Sequence, residues 1–268
     1  MKQRLISAFF GIILLVLVLM GNQFVFDTVI TLITAVGIYE VLDAVGLIKQ
    51  KLPVTLSVLF PVVLIPVSHF FEEYLFLVVS VFMALFLLIM LFNHKKCTFS
   101  DITTAFTASL MVTLPFFYVS MTRRLGNENL DVLVILIGCW ITDSCAYFSG
   151  YFFGKHKLAP EISPKKTIEG SVGGVLGVLI IMVAYSYVAG NIMNVSVNLI
   201  SAAIVGFTAG IFSQFGDLCA SIIKREHNIK DFGKIMPGHG GVMDRFDSLL
   251  FVAPITYYIL KFFPIFIG

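Results

Sequence analysis

Two short stretches of this chain carry most of its chemically useful side chains. The first, 154–170, contains Lys155, Lys157, Ser163-Pro164-Lys165-Lys166-Thr167 and Glu169. The second, 217–247, contains Asp217, Ser221, Lys224-Arg225, Lys230-Asp231, Pro237-Gly238-His239-Gly240-Gly241 and Asp244-Arg245-Phe246-Asp247. Lys and Arg hold phosphate oxygens, and Asp is a hard oxygen ligand suited to Mg2+. A glycine-rich run lets backbone N–H groups come close to an anion. Together these are the components of phosphoryl or nucleotidyl transfer, where a protein mainly positions groups and neutralises charge. A basic loop alone is a topology signal or a lipid-headgroup contact. The combination with aspartates is what points to a phosphate–metal site.

The elements that must position these groups are helices. Asp217, Ser221, Lys224 and Arg225 fall at i, i+4, i+7 and i+8, so they share one helix face. Asp143 sits in Trp140-Ile141-Thr142-Asp143-Ser144-Cys145-Ala146-Tyr147, inside an apolar segment. It stands roughly ten residues from the segment's end, which at about 1.5 Å per residue is well inside a bilayer. Such a carboxylate requires a partner or a water-filled cavity. Glu40 and Asp43 lie three apart near the end of another segment; a solvated helix end and a site role both remain open. Asp27 is read as facing water. Ser163-Pro164 favours a turn, and Thr167 can cap the helix that follows.

The chain has 268 residues, 58% hydrophobic and 13% charged, with a mean hydropathy of +0.97. That excludes disorder and disfavours a water-soluble domain. Nine apolar segments are read at about 5–21, 24–45, 53–71, 74–93, 102–120, 130–153, 171–190, 197–223 and 248–266. The first resembles a signal peptide but lacks an Ala-x-Ala cleavage site, and is read as a retained helix. Taking alternate connections, 15 of the 18 Lys and Arg residues fall on the N-terminal side. The positive-inside rule then puts the N-terminus in the cytoplasm. The expected fold is therefore all-α, a polytopic membrane protein of about nine transmembrane helices. It forms a single transmembrane domain, with spans one to five in 1–120 and a catalytic half in 121–268.

Small residues recur at helical spacing: Ala146, Gly150 and Gly154; Gly170 and Gly174 with Gly173 and Gly177; Ala202, Gly206 and Gly210. In lipid such rows allow helix backbones to approach. They are read as packing rather than as a phosphate loop. The four cysteines show no CxxC pair and are read as structural. A net charge of +2 gives no reason to expect a nucleic-acid partner.

The stretch Ser221-x2-Lys224-Arg225-x4-Lys230-Asp231-x-Gly233-x3-Pro237-x-His239-Gly240-Gly241-x2-Asp244-Arg245-x-Asp247 resembles the signature of phosphatidate cytidylyltransferases, also called CDP-diacylglycerol synthases. Met236 departs from the family's usual Leu, Ile or Phe but stays apolar. Trp140-x2-Asp143-x2-Ala146-Tyr147-x2-Gly150 and Ser163-Pro164-Lys165-Lys166-Thr167-x-Glu169-Gly170 are also similar to that family. The N-terminal half matches only in hydropathy. The resemblance implies that CTP and phosphatidic acid react to CDP-diacylglycerol and pyrophosphate. It also implies Mg2+, with or without a second ion, a homodimer, and residence in the cell's inner (plasma) membrane with the site on the cytoplasmic side.

On that footing the metal ligands expected are Asp217 and Asp244, with Asp143, Asp247 and Asp231 as further candidates. Ser163, Lys165, Lys166, Thr167, Ser221, Lys224, Arg225, Lys230, Gly240, Gly241 and Arg245 are expected to bind substrate. His239 either donates to the leaving pyrophosphate or orders its loop. The rival readings are weaker. A secondary transporter leaves the one-sided clustering unexplained. An enzyme that moves a headgroup from CDP-diacylglycerol to an alcohol needs an Asp-Gly-x2-Ala-Arg pattern, which is absent.

Overall fold

The apolar segments fold as helices whose ends are set by local caps. A computed structural model describes residues 2–236, 238 and 240–267; the side chains of residues 2–8, 10 and 72 are outside that description. Two compact units are formed, one by 1–120 with 227–245 and the other by 121–226 with 246–268.

The first unit contains α1 (Lys2–Met20), α2 (Gln23–Ala44), α3 (Lys51–Phe70), α4 (Leu75–Phe92) and most of α5 (Phe99–Arg123). The Asn22 side chain caps α2 by accepting the Val25 N–H at 2.9 Å. Thr98 and Asp101 cap α5 reciprocally: each side-chain oxygen accepts the other's backbone N–H, at 2.8 and 3.2 Å. α4 presents most of its apolar surface outward. For a helix about 27 Å long, close to the hydrocarbon thickness, that is a lipid-facing surface. Asp27 is not solvated as expected. It is buried, and Gln23 Nε2 (2.8 Å) and Ser120 Oγ donate to its Oδ1. In a bundle interior a carboxylate persists only with such donors.

The second unit contains α6 (Glu128–Phe153), α7 (Ile168–Met193), α8 (Leu199–Glu226) and α10 (Leu249–Phe262), which the one-turn helix α9 (Met243–Phe246) precedes in the chain. Its small-residue rows do what their spacing suggests. Gly150 lies against Gly170, and Gly174 against Ala146, so α6 and α7 touch backbone to backbone. A Cβ on Gly206 would stand 2.8 Å from Leu179 Cα, and one on Gly210 2.8 Å from Val175 Cα. Those two contacts seat α8 on α7. Val134, Val178, Met182, Val205 and Leu260 fill the core between these helices. At one end, β3 (Ser196–Val197) pairs antiparallel with β4 (Phe266–Ile267).

Among the described residues, seven helices are long and apolar enough to cross a membrane. Two shorter apolar helices, Gly11–Met20 and Leu249–Phe262, stand where the sequence suggested the first and ninth spans. The 14 residues of α10 extend about 21 Å, less than a hydrocarbon core of about 30 Å. The protein is an all-α, multi-pass membrane protein.

Candidate active site

In the second unit, six of the residues singled out from the sequence converge. The helical spacing of α8 puts Asp217, Ser221 and Lys224 on one face. Ser221 Oγ donates to Asp217 Oδ1 at 3.4 Å. Lys166 Nζ lies 2.6 Å from Asp217 Oδ2, and Lys224 Nζ lies 3.8 Å from Asp247 Oδ2. Asp247 stands just before α10, where its Oδ1 accepts the Ser248 N–H at 2.8 Å. Ser248 Oγ in turn donates to Asp143 Oδ2 at 3.3 Å, which ties α6 to the same group. Gly216 makes this possible: a Cβ there would lie 2.9 Å from Ser248 Cα. The start of α10 can therefore come close to α8.

Three carboxylates thus face two ammonium groups. Lys224 and Asp247 are each under a tenth exposed, while Asp143 is exposed. Burial first, and then the neighbouring Asp217, pushes the Asp247 carboxyl up to about 7, against the pull of Lys224. The imbalance favours an added cation. No three His, Cys, Asp or Glu side chains converge into a metal cage among the described residues. Mg2+ does not need one, since it binds through one or two carboxylates plus substrate phosphates. The hard oxygen donors present fit that ion.

A small hairpin delivers Lys166. β1 (Lys157–Ala159) pairs antiparallel with β2 (Ser163–Thr167). The hairpin base is fastened by Glu169, which accepts the Lys155 N–H (3.0 Å) and His156 N–H (3.2 Å) and meets His156 Nδ1 at 2.6 Å. Successive strand residues point to opposite faces. Lys166 turns to Asp217, while Lys165 is exposed. Ser163 opens β2, and Arg225 Nε donates to the Ile162 carbonyl at the hairpin turn, 3.4 Å away. Thr167 is the α7 cap: its buried hydroxyl accepts the Gly170 N–H at 3.1 Å.

The loop 227–245 belongs to the first unit. Asp244 Oδ2 accepts the N–H groups of Phe232 (2.8 Å) and Gly241 (2.9 Å). Met236 N–H donates to the Gly240 carbonyl at 2.9 Å. That tight turn places Gly238 and Gly240 at φ +78° and +88°, a region other residues rarely adopt. A cavity of about 660 Å³ is lined by Lys230, Asp231, Gly233, Lys234, Gly240 and Arg245, among others. Three of these are cations and one is an acid, so the cavity suits an anion. His239 lies outside the described residues.

The chain matches the cytidylyltransferase family over residues 2–263. It is 32% identical over 270 residues to the phosphatidate cytidylyltransferase of Bacillus subtilis (strain 168), covering 98% of each chain. The chain belongs to the cytidylyltransferase family. The phosphatidate cytidylyltransferase of Thermotoga maritima is 41% identical over 162 residues, 59% of this chain and 58% of the relative. That of Staphylococcus aureus (strain COL) is 38% identical over 168 residues, 63% and 62% respectively.

For this cytidylyltransferase family member, the sequence pointed to Asp143, Lys166, Asp217, Ser221, Lys224 and Asp247, and the fold brings them into one group. Lys230, Asp231, Gly240, Gly241, Asp244 and Arg245 lie in the loop of the first unit. Glu40 was left undecided by its sequence. It is 3% exposed, and its Oε2 accepts the Met243 N–H at 3.0 Å. Asp43, its neighbour on α2, is exposed. The only signal for Glu40 was an acid in an otherwise apolar segment.

Proposed function

We propose that this protein transfers the cytidylyl group of CTP to phosphatidic acid, releasing pyrophosphate and forming CDP-diacylglycerol for phospholipid synthesis. The observation that carries the reading is the alternation of Lys166–Asp217 and Lys224–Asp247 in a chain of this family. A non-bridging oxygen of the lipid phosphate attacks the α-phosphorus of CTP in line. The new P–O bond forms as the bond to the β-phosphate oxygen breaks, and pyrophosphate leaves with that electron pair. A phosphate monoester has a second pKa near 6 and is mostly dianionic at neutral pH. It can attack without a strong general base, and no Ser, Cys or His nucleophile is required.

The difficulty is electrostatic, because two anions must meet and charge grows on the leaving group. Lys166 and Lys224 supply positive charge held in place by their aspartate partners. Lys230, Lys234 and Arg245 line a cavity suited to the nucleotide's phosphates. In the helix cluster Asp217 is the carboxylate proposed for Mg2+, with Asp143 and Asp247 as further oxygen donors; in the loop it is Asp244, with Asp231. A bound Mg2+ supplies Lewis-acid neutralisation of phosphate oxygens. The charge bias of the loops supports a cytoplasmic site in an inner (plasma) membrane, where CTP and a membrane lipid are both available. A homodimer belongs to the same reading and rests on the family resemblance.

The test uses purified protein in detergent with labelled CTP, phosphatidic acid and Mg2+. Pyrophosphate release that requires phosphatidic acid supports the reading. Release at the same rate without lipid, or no release, contradicts it.

A further inference from the structure

Glu40 belongs to no motif, yet the 232–243 loop is built around its side chain. α2 carries it into a buried position, where its Oε2 accepts the Met243 N–H at 3.0 Å. Gly233 and Gly241 lie against the same group, and a Cβ at either position would overlap it. Neither glycine has a positive φ. Their small size is therefore explained by close approach and not by backbone conformation. Asp244 holds the same loop from within, through the Phe232 and Gly241 N–H groups. The two branches of the loop, Phe232-Gly233 and Gly241-Met243, are thus drawn together by two carboxylates. One belongs to the loop, the other to α2. A buried carboxylate is costly unless hydrogen-bonded, and the donor that Glu40 finds is a backbone group of this loop, the Met243 N–H.

We infer that Glu40 is a positioning residue, which holds the loop in the shape that presents Lys230, Lys234 and Arg245 to the nucleotide's phosphates. The inference rests on the assignment of that cavity to CTP. Glu40 itself touches no reacting atom; it acts through the backbone of Met243 and through its packing against Gly233 and Gly241.

The test uses the full-length protein in detergent, as wild type and as Glu40→Ala, Glu40→Gln and Gly241→Ala. Hydrogen exchange of the 232–243 amides is measured beside steady-state kinetics with each substrate varied. Glu40→Ala should accelerate exchange in the loop and raise the KM for CTP by up to about a hundredfold, the scale of an ångström misplacement. The KM for phosphatidic acid should not change. Glu40→Gln keeps the shape and one acceptor oxygen, and should recover part of the loss. Gly241→Ala should reproduce the Glu40→Ala pattern with Glu40 intact, because its Cβ displaces the carboxylate. If Glu40→Ala does not fold, Glu40→Gln and Gly241→Ala carry the same comparison. Unchanged loop exchange would overturn the inference. Faster exchange with an unchanged KM for CTP would overturn only the assignment of the cavity to the nucleotide and leave the clamp standing.

Discussion

Lys166 Nζ stands 2.6 Å from Asp217 Oδ2, joining the β1–β2 hairpin to the helix that carries the rest of the charged cluster. The pair is about a quarter exposed, so its value for stability is small. In the proposed reaction it holds one cation and one anion for the phosphates of the lipid and the nucleotide.

Lys166→Met should therefore lower turnover by about 10²–10³-fold, the scale seen when one preorganised donor to a developing charge is removed. Melting in detergent should stay close to wild type. Lys166→Arg should recover only part of the rate, since a planar fork does not reproduce a point charge. Initial-rate assays on the purified variants check this.

Asp244→Asn should be at least as damaging. Oδ2 accepts two backbone N–H groups; an amide keeps an acceptor there only as a neutral, weaker oxygen, and its nitrogen in that place would set a donor against donors. Loss of turnover should be accompanied by faster proteolysis within 227–245. Near-normal turnover would remove Asp244 from the ligand set.

Asp143→Asn tests whether the carboxylate inside α6 serves the site. Ser248 Oγ can still donate to the amide oxygen, so the helix contact survives while the charge is lost. Turnover should fall by about tenfold or more, as expected when a fixed charge near the reacting phosphates is removed. An unchanged rate would make Asp143 a structural partner of Ser248.

Gly206→Val should act on the fold and not on the chemistry. A Cβ at 206 lies 2.8 Å from Leu179 Cα, so α7 and α8 must separate. Overpacking of this kind costs about 1–3 kcal/mol. The expected result is a lower melting temperature with a normal KM for both substrates in the protein that remains folded.

Chelation by EDTA should abolish turnover, and Mg2+ should restore it. Ca2+ should restore it poorly, because it takes more ligands at longer distances. Full activity in the chelator would remove the metal from the account.

The α8 face was legible because Asp217, Ser221 and Lys224 depend only on the 3.6-residue period. The glycine rows were legible for the same reason, and α6, α7 and α8 pack through them. The hairpin was visible as a motif, but its contact with Asp217 was not, since 51 positions separate Lys166 from that aspartate. Glu40 was least legible: its acceptor oxygen meets a backbone N–H 203 positions away. Periodicity carries no information about such a contact. Asp27 was misread as solvated because Ser120, which closes over it, is 93 positions distant. α10 shows the limit of hydropathy, which marks an apolar run without marking where Phe263 ends the helix.

The Asp217 cluster is proposed to carry cytidylyl transfer. The most direct measurement is the single-turnover rate of CDP-diacylglycerol formation at saturating CTP, phosphatidic acid and Mg2+, for wild type and Asp217→Asn. Asp217→Asn should be slower by about 10³-fold with unchanged melting behaviour in detergent. A rate close to wild type would contradict it.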